Sequence, residues 1–150
     1  MVFSKSTETT NCPLFIQQEP VKDGKEFQYL GSILTVDGRS TTEIKRRIGI
    51  AKTAFRKMRS LLTNSRLAVK TRVRAIKPYV WSTLLYGCEA WTVSREMEQR
   101  LEAIEMWCWR RMLGISWVER RTNMSIMESF GGRRKLLAEV RKRQMTFLAM

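Results

Sequence analysis

The chain has 150 residues, 43% hydrophobic and 28% charged, which suffices for one folded domain with a modest core. It carries 28 basic and 14 acidic side chains, a formal net charge of +14, and no histidine; with only Cys12, Cys88 and Cys108 as thiols, a zinc centre and a disulfide framework are both excluded. No apolar run approaches the ~20 residues of a membrane span and no signal-peptide pattern opens the chain, so a nuclear or cytoplasmic, non-secreted protein is expected.

The strand-like material lies in residues 1–36. Val2-Phe3, Leu14-Phe15-Ile16 and the run from Phe27 to Val36 are short apolar stretches separated by turn-forming residues, and Pro13 and Pro20 keep helices out. Two or three short strands are expected, with a loose N-terminus. Tyr29-Leu30-Gly31 and the alternation Leu30, Ser32, Leu34 suit one half-buried strand, ended by a turn at Asp37-Gly38.

Ser40-Thr41-Thr42-Glu43 has the pattern of a capping box, so a helix should begin at Ser40. Its apolar positions Ile44, Ile48, Ala51, Phe55, Met58 and Leu62 step by three and four, giving one core stripe. Gly49 interrupts it and suggests close approach of a neighbouring backbone. After Asn64-Ser65, a candidate cap, a second helix carries Val69, Val73, Ile76, Val80 and Leu84, with a kink or break near Lys77 because Pro78 lacks an N–H. Ser94 can cap a third helix with Met97, Leu101, Ile104, Cys108 and Met112 inward and Gly114 as its terminating glycine, where Arg110 and Arg111 suit the dipole. A fourth helix is expected from Asn123 to about Ser129. Beyond Gly131-Gly132 a fifth places Leu136, Val140 and Phe147 on one side and reaches Met150 without a stop signal, as a truncated chain would. The fold class is mainly α: a small N-terminal β element followed by a bundle of about five helices.

Charge follows this division. Residues 1–40 net −1, residues 41–90 net +10 and residues 91–150 net +5. A field so concentrated attracts polyanions and favours phosphate contacts through counterion release. RNA, DNA or their hybrid is therefore the leading partner, weighed against a merely solvated basic face. The candidate nucleic-acid-binding cations are Lys45, Arg46, Lys52, Arg56, Lys57, Arg59, Lys70, Arg74 and Lys77.

The segment FQYLGSILTVDGRSTTEIKRRIGIAKTAF resembles the stretch that follows the catalytic palm in reverse transcriptases of non-LTR (LINE-type) retrotransposons, which also carry an endonuclease. The LLYGCEAWT block from Leu84 to Thr92 and the WCWRRMLGISW block from Trp107 to Trp117 are similar to later blocks of that family, and Asn123 and Arg134 to Arg143 fit its helical tail. MVFSKS at residues 1–6 resembles the words before the YLG block. The resemblance implies a C-terminal fragment: residues 1–38 as a remnant of the palm, 39–92 as basic thumb-like helices and 93–150 as a helical extension. It places Tyr29, Leu30 and Gly31 in the primer-grip neighbourhood, and makes the missing palm of the parent polymerase a partner.

The family's catalysis uses paired aspartates holding magnesium, in a motif upstream of YLG. This chain has only Asp23 and Asp37, each in an expected turn, so neither a catalytic residue nor a metal or cofactor site is expected here. Histidine-based nucleophile systems and a Walker-type loop are absent too. Glu96, Glu98, Glu102 and Glu105 read as solvated partners of neighbouring arginines. Two smaller candidates remain: a phosphate cradle at Gly131 to Lys135, and base stacking by Trp81, Trp91, Trp107, Trp109 and Trp117, against which core packing is favoured. The expected activity is binding, not polymerisation. The alternatives are a host-retained, retrotransposon-derived protein-interaction module and a basic amphipathic protein on anionic membrane surfaces.

Overall fold

The computed structural model describes residues 24–116 and 118–150, together with the backbone of Phe15–Ile16 and Glu19–Pro20. The expectations for Val2-Phe3, Cys12, Pro13, Asp23 and Trp117 fall outside these residues. Two antiparallel hairpins come first: β1 (Phe15–Ile16) pairs with β2 (Glu19–Pro20), and β3 (Glu26–Tyr29) with β4 (Ser32–Thr35). Helices follow: α1 (Thr41–Lys57), α2 (Arg59–Leu62), α3 (Val69–Ile76), α4 (Ser82–Leu84), α5 (Arg95–Leu113), α6 (Asn123–Glu128) and α7 (Leu136–Leu148). The mainly α class with an N-terminal β element holds.

The YLG block is not one strand. Tyr29 pairs with Ser32, so Leu30 and Gly31 form the two-residue turn of the β3–β4 hairpin, both at positive φ (47° and 78°). That is the turn the right-handed twist of paired strands prefers, and leucine in it costs about 1–2 kcal/mol. The alternation expected of a single strand is in fact two strands folding back.

Ser40 does precede α1, but no capping box forms. The Ser40 hydroxyl accepts from Thr92 N at 3.0 Å, and Glu43 turns away to accept from Ile33 N at 2.9 Å and Arg47 Nε at 2.6 Å. Tertiary partners outcompete the local motif. The α1 stripe behaves as expected: Ile44, Ala51, Phe55 and, past the offset at Met58, Leu62 are buried. Gly49 instead faces open space, and a methyl group there would touch nothing.

Asn64 caps no helix. Its side chain accepts from Arg66 N at 3.0 Å in a local turn, and α3 begins only at Val69. The regular α-helix gives way near Lys77, as expected from Pro78. A wide turn over Lys77–Trp81, in which Ser82 N–H reaches back to Lys77 O, carries α3 into α4 and absorbs the missing donor.

The other ends match the sequence. Ser94 Oγ accepts from Met97 N at 3.4 Å, and Gly114 closes α5 at φ 69°. Arg72, almost fully buried, donates to the carbonyl of Met112, covering a third terminal acceptor of α5 beside those met by Gly114 N and Ile115 N. Ile76, Leu84, Leu101, Trp109 and Val140 belong to one continuous core, closed by α7, whose Gln144 donates to Cys88 O and Trp91 O. Phe147 departs from its expected stripe and is exposed.

Candidate nucleic-acid interface

On a helix of 3.6 residues per turn, Lys45, Lys52 and Arg56 share one line along α1, beside the buried stripe. Lys45 and Arg56 are exposed and Lys52 is half-buried; Lys57 and Arg59 are exposed at the C-terminal end. Lys70, Arg74 and Lys77 make a second exposed line along α3 and its wide turn. Among the described residues, none of these eight pairs with a carboxylate. Arg46 differs: its Nη2 donates to Gly31 O at 2.9 Å and its Nη1 stands 3.8 Å from Glu43, so it serves the hairpin first.

The expected grip residues sit at the hairpin tip. Gly31 O accepts from Arg47 Nη2 at 2.6 Å as well as from Arg46, and Leu30 O accepts from the Tyr86 hydroxyl at 3.1 Å. Arg47 is buried against Glu43 with its guanidinium 4.5 Å from the Tyr86 ring centroid. The tip is thus bolted to α1, while the Tyr29 and Leu30 side chains face solvent. Tyr29 stacks on Phe27 rather than on the helices. Sequence reasoning missed the Glu43–Arg47 pair, although an i, i+4 Glu–Arg spacing is its signal.

A second feature it missed lies where α1 meets α5. Trp107 packs edge-on against Phe55, and two cations lie over its ring: Arg111 Cζ at 4.5 Å and Lys52 Nζ at 5.8 Å. The i, i+4 spacing of Trp107 and Arg111 is the sequence signal. Beside it runs a groove of about 520 Å³ walled by Ile48, Lys52, Met106 and Trp107. A cleft of about 240 Å³ is lined by Arg59, Thr63, Arg110 and Arg111. Trp81, Trp91 and Trp109 are core residues, as favoured.

The glutamates divide. Glu96 pairs with Arg100 at 3.1 Å, Glu98 with Arg141 at 2.7 Å, and Glu102 with Arg134. Glu105 is not solvated at all: it is buried, and its Oε1 accepts from Lys135 N at 2.9 Å and Leu136 N at 3.3 Å. Burial holds its carboxyl above the ordinary range, while those two N–H bonds pull the other way. The first amides of α7 are therefore taken, which removes the phosphate cradle expected at Gly131 to Lys135.

Catalytic groups are not assembled among the described residues. Burial pushes the Cys88 thiol up to about 11 and the Cys108 thiol up to about 12, so neither is a nucleophile near neutral pH. Asp37 is exposed and its carboxylate accepts from Thr35 Oγ1 and Arg39 N, bonds that lower its pKa. No cluster of three or more metal-ligating side chains occurs among the described residues. No described helix is long and apolar enough to cross a membrane.

Comparison with known proteins bears on origin. An uncharacterized transposon-derived protein of Caenorhabditis elegans is 31% identical over 99 residues, which make up 66% of this chain and 35% of the relative. The likeness supports a transposon origin. The match thus spans little more than a third of the relative's length. No family model matches the chain, and no solved structure does.

Proposed function

We propose that this chain is the grip and thumb portion of a LINE-type reverse transcriptase and that it holds the backbone of RNA, DNA or their hybrid without polymerising alone. The observation that carries the reading is the pair of carboxylate-free cation lines, Lys45–Lys52–Arg56 on α1, exposed but for the half-buried Lys52, and the exposed Lys70–Arg74–Lys77 on α3 and its wide turn, raised on an apolar core. In this reading the cations meet phosphates, contacts that position a strand without reading its bases, so the grip is independent of sequence. The transposon-derived relative and the strand–turn–helix resemblance support the same reading. In it, the parent polymerase's palm supplies the catalytic aspartates and magnesium, and the protein works where nucleic acid is, in the nucleus or cytoplasm.

Sequence independence is the test. Two hybrid duplexes of equal length and unrelated sequence should bind the full chain within about twofold of each other, because phosphate contacts position without specifying. A strong preference for one of them contradicts the backbone grip.

A second reading, a retrotransposon-derived protein-interaction module, is favoured by one observation. Phe27 and Leu34 face each other across the β3–β4 ladder and, with Tyr29, expose an apolar strip on one side of the hairpin. Partner capture abolished by Tyr29→Ser with Leu34→Ser, while nucleic-acid binding persists, would support that module. Leu84 and Trp91 are unsuitable for such a test because both are buried.

A further inference from the structure

The cleft and groove at the α1–α5 seam adjoin the α1 cation line, with which the groove shares Lys52, and have a different shape. We propose that this seam binds an unpaired nucleotide of a nucleic-acid strand, with its phosphate between Arg59 and Arg111 and its base in the groove against Trp107 and Met106. The inference deepens the nucleic-acid reading and rests on it.

Charge favours a phosphate in the cleft. Its walls are Arg59, Arg110, Arg111 and the Thr63 side chain, with no carboxylate among its lining residues. Arg59 and Arg111 form no ion pair with any described residue, and Arg111 is already held over the Trp107 ring, so little ordering of that side chain is left for binding to impose. The C-terminal carbonyls of α5 nearby would repel a phosphate if bare. Three of them accept hydrogen bonds, Arg110 O from Ile115 N, Arg111 O from Gly114 N and Met112 O from Arg72, whose cation also offsets the dipole.

Shape favours a base in the groove. Arg110 lines both the groove and the cleft, and the groove's apolar wall of Ile48, Ala103, Met106 and Trp107 offers surface to a base. Its one acid, Glu102, is neutralised by Arg134. Spaces of about 520 Å³ and about 240 Å³ on a shared Arg110 wall have room for a base and for a phosphate. A duplex is too broad to enter, whereas an unpaired strand can place a phosphate and a base there together.

The experiment compares a labelled single-stranded oligonucleotide with a blunt duplex of the same sequence, using the full chain. Arg111→Gln, at an exposed position outside the cation lines, should weaken the single strand on the order of tenfold and the duplex by less than about twofold. Trp107→Leu should weaken the single strand by roughly 5- to 100-fold and the duplex far less, because the base then loses the indole wall it packs on while the duplex loses only the ring beneath Lys52. Equal weakening of both ligands, or single-strand binding untouched by either change, overturns the proposal. Wild-type chain that binds duplex but no single strand removes this seam and leaves the duplex grip standing; failure to bind either removes both.

Discussion

Arg47 and Glu105 show how individual charged residues hold this molecule together from inside. Arg47 joins the hairpin, α1 and Tyr86 through one guanidinium, and its carboxylate partner Glu43 is also buried. Arg47→Met would leave the buried Glu43 with only the Ile33 amide and the longer Arg46 contact at 3.8 Å, a loss of about 3 kcal/mol in urea unfolding. Glu105 carries a pH signature. Its folded pKa is raised by burial above the ordinary 4.5, so the native state holds its proton more tightly than the unfolded state. Its favourable linkage is fully present below the unfolded pKa and is lost as pH rises through the folded value. Glu105→Gln keeps an oxygen for the Lys135 and Leu136 amides without the charge. Its stability relative to wild type should therefore increase as pH rises from about 4.5 through the folded pKa, in paired denaturation curves; a flat difference would contradict the buried-carboxylate account.

At the scale of elements, what the sequence makes legible depends on whether the determinant is local. The α1 stripe, the Ser94 cap and the Gly114 stop rest on spacing and backbone chemistry within a few residues, and the structure shows each of them. The capping box at Ser40 and the strand through Tyr29-Leu30-Gly31 fail because distant partners decide them: Thr92 takes the Ser40 hydroxyl, while Arg46, Arg47 and Tyr86 clamp the hairpin tip. The leucine at φ 47° is a costly turn residue that a local pattern would not select. Gly49 gives the opposite lesson, since its glycine meets no packing demand in the folded chain. Gly49→Ala should stabilise the protein by about 1 kcal/mol and raise Tm, because helix propensity is then the main term. Destabilisation would mean that α1 needs glycine for the approach of a partner.

For the whole molecule, the division of labour is apolar core inside and unpaired cations outside. The core runs from Ile44 on α1 to Val140 on α7, so the cation lines are fixed on a common scaffold. The basic field is legible from charge counts, but the split between structural and available cations is not. Arg46, Arg47 and Arg72 look like further surface charges in sequence and are consumed by backbone carbonyls in the fold. The interface claim is tested most directly by the salt dependence of hybrid-duplex affinity, comparing wild type with Lys45→Gln, Lys52→Gln and Arg56→Gln combined. The account predicts weaker binding and a slope of log K against log salt that is shallower by about 0.9 for each phosphate the variant no longer neutralises. Unchanged affinity and slope in the triple variant would contradict it.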